Sequence, residues 1–200
     1  IQTDDFEYYD PEEAKVIEWE QLVITVDTAM KAKELNDNSC LQLWGLANRR
    51  AYLIDQSWGK WESPELLTVA SLFFNKTQAD FPRFSLRMVI EEKAAGSGLL
   101  QQLLALGIPA EGIERDIDKV RRVQAILPYI ETGLVYLPAP TKVESTHWVH
   151  GVIQECAEFK PDMTHAHDDR VDTLADGVAI LLGQPLSILD LLGAQPRPGH

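Results

Sequence analysis

Apolar positions along this chain repeat first with a period of two and later with a period near four, and the change marks its elements. The run Leu22-Val23-Ile24-Thr25-Val26-Asp27 is almost unbroken and rich in β-branched residues, which predicts a strand over 22–29 covered on both faces. Cys40-Leu41-Gln42-Leu43-Trp44-Gly45-Leu46 alternates, and Ala51-Tyr52-Leu53-Ile54-Asp55 is short and apolar, with Asn48-Arg49-Arg50 as the turn between them. These three runs predict an antiparallel meander. Ahead of them, Pro11-Glu12-Glu13 has the form of a helix start.

Beyond residue 60 the spacing becomes helical. Ser63-Pro64-Glu65 supplies a capping residue and a proline at the first position of a helix that carries Leu66, Leu67, Val69, Ala70, Phe73 and Phe74. Leu86-Arg87-Met88-Val89-Ile90-Glu91 predicts a strand, and Gly96-Ser97-Gly98 leads into a helix bearing Leu99, Leu100, Leu103 and Leu104. A weaker strand is expected at 112–114, a helix at 118–130, and a strand or hairpin arm at 134–137, ended by Pro138 and Pro140. Helices are predicted over 146–159 and 168–182, and the tail 193–200 is expected to fray. There is no internal repeat. Three antiparallel strands followed by alternating helices and strands describe an α/β domain: a mixed sheet, with later strands added in parallel and helices on its faces.

Composition narrows the function classes. The chain has 200 residues, 45% of them hydrophobic, enough for one substantial core. No apolar stretch reaches the roughly 18 residues needed to span a bilayer, and no signal region precedes the first element, so no membrane is expected. Cys40 and Cys156 lie far apart in apolar surroundings and are expected as reduced, buried thiols, which fits a cytosolic compartment. A first residue of Ile1 rather than Met leads us to expect a piece of a longer polypeptide, with processing as the alternative. The net charge of -13 argues against tight, autonomous DNA binding. Basic residues nevertheless cluster at Lys31/Lys33, Arg49/Arg50 and Lys119/Arg121/Arg122, and cations held by carboxylates would add positive charge that the count omits.

The acidic residues carry the chemical signal. Asp27 lies at the end of one apolar run, Glu91 closes another, and Asp168-Asp169 open the last helix. A carboxylate at the inner end of a buried strand is costly unless paired or metal-bound. Three from distant parts of the chain predict a cation site of oxygen ligands, suited to Mg²⁺ or Mn²⁺. On a helix whose Val171, Leu174, Ala175, Val178 and Leu182 face the sheet, Asp168 falls about 60° from the centre of that face and Asp172 about 100°, with Asp169 nearly opposite. Helix starts are irregular, so Asp168 and Asp169 are both kept as candidates, with Asp172 in reserve. The competing reading of these aspartates is helix capping and favourable interaction with the helix dipole. Lys93, two positions after Glu91, would point to the same side if extended; it and the pair Lys119/Arg122 are candidate phosphate contacts, against simple surface salt bridging. His165 and His167 have no partner at a recognised zinc spacing.

Five local sequences occur in an order that is similar to one family. They are Val26-Asp27-Thr28-Ala29, Val89-Ile90-Glu91-Glu92-Lys93-Ala94-Ala95-Gly96, Lys119-Val120-Arg121-Arg122-Val123-Gln124-Ala125, Gly133-Leu134-Val135-Tyr136-Leu137-Pro138, and His167-Asp168-Asp169-Arg170-Val171-Asp172-Thr173-Leu174-Ala175. Over roughly residues 20–183 the chain resembles the C-terminal nuclease domain of the large terminase subunit of tailed bacteriophages, which has a ribonuclease H-like fold. The resemblance implies a metal-dependent endonuclease that cuts concatemeric double-stranded DNA during packaging by a two-metal-ion mechanism. Asp27, Glu91, Asp168 and Asp169 would be the catalytic and metal-binding residues. It implies as partners double-stranded DNA, an ATPase domain in the same full-length protein, the portal protein and the small terminase subunit, all in the host-cell cytoplasm. No G-x-x-x-x-G-K-[ST] phosphate loop is present, so the ATPase is expected to lie outside this chain. An acidic docking module with negligible hydrolysis, a resolvase and a ribonuclease H are the competing functions.

Overall fold

The computed structural model describes residues 1–28, 38–92, 94–114, 118–160 and 169–183. After a 3-10 turn at Thr3–Asp5 comes a strand that the pattern does not signal, β1 (Glu7–Tyr9), of which only Tyr9 is buried. The expected helix start at Pro11 is a single 3-10 segment, Pro11–Lys15, capped by the Asp10 carboxylate, which accepts from the Glu12 N–H.

The meander is present as β2 (Gln21–Asp27), β3 (Ser39–Ala47) and β4 (Arg50–Gly59). β4 runs on past Asp55, where its apolar run stops, because Gln56 and Trp58 continue to pair with Gln42 and Cys40 of β3. Asn48 and Arg49 take φ of 49° and 60° at the β3–β4 turn, the left-handed pair that a tight two-residue hairpin needs. Glu20 supports that geometry by accepting the Asn48 N–H at 2.7 Å.

The remaining elements are α1 (Ser63–Asp80), β5 (Leu86–Glu91), α2 (Ala94–Ala105), β6 (Ala110–Ile113), α3 (Lys119–Glu131), β7 (Val135–Pro138), α4 (Trp148–Glu158) and α5 (Asp169–Leu182). α2 begins before Gly96, so the Gly-Ser-Gly expected to precede a helix lies inside one. Gly96 is needed there, since a Cβ would strike the carbonyl of Glu91. The expected tail at 193–200 lies outside the described residues.

The described strands form one sheet in the order β1-β7-β4-β3-β2-β5-β6. β2–β3 and β3–β4 are antiparallel, whereas β2–β5, β5–β6, β4–β7 and β1–β7 are parallel. This is the mixed sheet expected from the sequence. Alternation along the strands divides the core. Leu22, Ile24 and Val26 of β2 join Met88 and Ile90 of β5 against α1 and α2, through Phe73, Phe74, Leu99 and Leu103. Val23 and Val89 lie on the other side with α3, α4 and α5, through Val123, Ile126, Val149, Val152, Val171, Leu174 and Val178.

α5 lies against the centre of the second face. Its Gly177 passes over Trp44, where any Cβ would collide with the indole. Gly177→Ala tests this contact: the ordinary helix preference for alanine, about 1 kcal/mol, should be outweighed by overpacking of about 1–3 kcal/mol. Urea unfolding should show a net loss of stability.

Candidate active site

Period-two alternation places Asp27 and Glu91 on the α5 face, because Val23 and Thr25 precede Asp27 there and Val89 precedes Glu91. Their strands pair in parallel, with Val26 opposite Ile90 as the last matched pair. Asp27 and Glu91 are one residue further along, at the C-terminal ends of neighbouring strands about 4.8 Å apart. Both are buried, 9% and 3% exposed. Two such carboxylates side by side repel each other unless a cation or proton intervenes. On the antiparallel side Asp27 faces Cys40. Burial pushes the Cys40 thiol well up, so it remains protonated and supplies no thiolate beside the carboxylates.

The start of α5 is held to this end of the sheet from several directions. Thr25, two residues before Asp27, donates its hydroxyl to the Thr173 carbonyl at 3.1 Å. Gln42 of β3 donates to the Arg170 carbonyl at 3.2 Å and to the Gln56 side chain at 3.0 Å. The Arg170 guanidinium lies 3.9 Å from the centre of the Trp58 ring and donates to Glu155 of α4 at 3.0 Å. The same Glu155 accepts the backbone N–H groups of Arg170, at 2.7 Å, and Val171, at 3.2 Å. Burial pushes the Glu155 carboxyl up, opposed by Arg170 and these two N–H groups.

Asp172, the reserve candidate, is buried towards α3. Lys119 Nζ lies 2.6 Å from one of its oxygens and Arg122 Nη2 2.9 Å from the other, while Arg122 Nη1 reaches Asp176 at 3.4 Å. The basic helical pair expected at the DNA thus also joins α3 to α5. Asp169 begins α5 and is half-buried, its carbonyl accepting the Thr173 hydroxyl. Asp168, Lys93, His165 and His167 lie outside the described residues, as do Lys31 and Lys33. Among the described residues, no three carboxylate, histidine or cysteine side chains are gathered closely enough for a metal site. Asp27 and Glu91 are nevertheless the hard oxygen donors that Mg²⁺ or Mn²⁺ takes.

The sequence reading did not single out Glu155, Arg170 or Gln56. For Glu155 a signal exists: it falls on the apolar face of α4, three residues after Val152 and next to Cys156, and a carboxylate there must find a partner.

A family model described as the terminase RNase H-like domain matches residues 24–179. No curated protein matches the sequence. Among solved structures, the fold is similar to the terminase nuclease domain of human cytomegalovirus, soaked with manganese, at a TM-score of 0.67 and 12% identity, covering 89% of this chain and 92% of that one. It is also similar to the large terminase nuclease of thermophilic phage G20c with bound cobalt, at a TM-score of 0.57 and 14% identity over 80% of each chain. The large terminase of a second thermophilic bacteriophage, in complex with ADP, matches at a TM-score of 0.62 and 10% identity, over 91% of this chain and 44% of that one.

Two outcomes follow from the buried charges and thiols. Asp172→Asn leaves Lys119 and Arg122, 21% and 15% exposed, without their shared anion; urea unfolding should record a loss of about 3 kcal/mol, the low end for a broken buried pair. Burial also raises the Cys156 thiol to about 12. Both cysteines should therefore resist an aromatic disulfide reagent at pH 8 in the native protein and react fully in denaturant.

Proposed function

Because this chain belongs to the family of terminase RNase H-like domains, we propose that it is the nuclease domain of a viral large terminase, an endonuclease that cuts concatemeric double-stranded DNA during genome packaging. The observation that carries this reading is the placement of Asp27 and Glu91 side by side at the tips of β2 and β5, with the start of α5 tied to β2. Manganese in the cytomegalovirus relative and cobalt in the G20c relative support a divalent cofactor.

In this reading Asp27, Glu91 and Asp168 or Asp169 would together hold two Mg²⁺ or Mn²⁺ ions. Ions bound there would polarise the scissile phosphate, lower the pKa of an attacking water and stabilise the departing oxygen. The protein's part is to hold its carboxylates in register at the end of the sheet. Lys93 follows Glu91 closely enough in sequence to contact the phosphate. Lys119 and Arg122 are weaker DNA contacts than their sequence spacing suggests, because a phosphate must compete there with the buried Asp172.

The relative solved with ADP is more than twice as long as its matched part. That supports a companion ATPase domain in the full-length protein, with the portal and small subunit as further partners. Among the described residues no helix is long and apolar enough to cross a membrane; packaging would take place in the host cytoplasm.

Plasmid digestion with EDTA, Mg²⁺ or Mn²⁺, beside an Asp27→Asn protein of matched folded stability, tests the reading. Cutting should need the metal and vanish in the variant. Linear duplex should be cut in preference to a four-way junction or an RNA–DNA hybrid, which separates this activity from a resolvase or ribonuclease H. No cutting, together with no metal binding by calorimetry, would leave an acidic docking module instead.

A further inference from the structure

We propose that Glu155 is a positioning residue for the active site: its carboxylate fixes where α5 begins, and through that the acidic residues at the helix start. The inference rests on the nuclease reading above and adds a residue to it.

A helix leaves its first N–H groups without partners inside the helix, and a nearby acceptor normally comes from the residue just before it. In α5 an acceptor comes from a different helix. Glu155 Oε1 takes the N–H groups of Arg170 and Val171 at 2.7 and 3.2 Å, and Oε2 takes the Arg170 guanidinium at 3.0 Å. One side chain thus binds both the backbone and the side chain of the first turn. Glu155 is only 4% exposed, and Arg170 is packed against Trp58 while its carbonyl receives Gln42. The first turn is therefore referenced to α4, β3 and β4 at once.

An apolar pair of similar volume would stabilise such a contact about as well as a buried ion pair. What the carboxylate adds is direction, because its two oxygens accept from fixed points on the backbone. Asp169 immediately precedes Arg170, and Thr173 one turn later is bound to Thr25. A rotation or a one-residue slip of the α5 start would change where Asp169, the first residue of α5 and a ligand in that reading, stands relative to Asp27 and Glu91. Groups outside the ligand set that orient a metal site typically change affinity about 10–100-fold when replaced.

The test compares the unmodified protein with Glu155→Gln, which keeps one acceptor oxygen, and Glu155→Asp, which keeps the charge but is one methylene too short to hold all three donors. Amide exchange at Arg170 and Val171, followed by NMR without metal, reads the cap alone. Both amides should exchange at least tenfold faster in the variants while the rest of α5 remains protected. Calorimetric titration with Mn²⁺ then reads the site: affinity should fall about tenfold at unchanged stoichiometry, and cleavage should recover at saturating Mn²⁺. A purely structural role would lower the folded fraction and the stoichiometry while leaving the affinity of the folded molecules unchanged. If Glu155→Gln does not fold, Glu155→Asp carries both readouts. Unchanged exchange, or unchanged Mn²⁺ affinity in a folded variant, overturns the proposal. Absence of Mn²⁺ binding in the unmodified protein, with fast exchange in the variants, would instead overturn the nuclease reading and leave the cap intact.

Discussion

A carboxylate taken out of water must find compensation, and the described part of this fold is organised around five that are almost fully buried: Asp27, Glu91, Glu155, Asp172 and Asp176. Three of them meet arginine or lysine from a different helix. Glu155 pairs with Arg170, and Asp172 and Asp176 with Arg122, Lys119 also reaching Asp172. These pairs join α3 and α4 each to α5. Asp27 and Glu91 differ in origin, coming from the ends of strands rather than from helix faces, and they stand next to each other. The first group sets the position of α5, and the second lies at the strand ends on the sheet face that α5 covers.

The two faces of the sheet divide the work. The α1–α2 side is closed by aliphatic and aromatic side chains of β2, β5 and the two helices. The α5 side combines an apolar centre with a polar border of Gln42, Gln56, Trp58 and Arg170 beside the first turn of α5. Apolar contact is tolerant of small shifts, whereas hydrogen bonds with fixed partners are not. A site that must hold several charges in register is therefore better placed on the second side.

The strands and helices were legible because each leaves a periodic trace. The unbroken run of β2 and the alternation in β3 identified their elements, and the position of acidic residues at run ends pointed to Asp27 and Glu91. β1 left no trace, since three residues with one buried side chain make no period. The extension of β4 was missed because Gln56 and Trp58 interrupt an apolar run while continuing a ladder. The roles of Lys119 and Arg122 were half legible: their shared face was apparent, but not that Asp172, 50 positions beyond Arg122, would take them up. Spacing along one helix reports which residues sit together on it and nothing about what another helix brings to meet them.

The hydrogen bond from Thr25 to Thr173 spans 148 positions of the chain. Contacts so distant in sequence close late, after the local hairpin and helices have formed, because the intervening segment must lose its freedom first. During synthesis β2 leaves the ribosome long before α5 exists, so a growing or truncated chain can present the two strand-end carboxylates without the helix that faces them. In the nuclease reading, cutting competence would wait for α5, so a chain stopped before that helix would leave DNA intact.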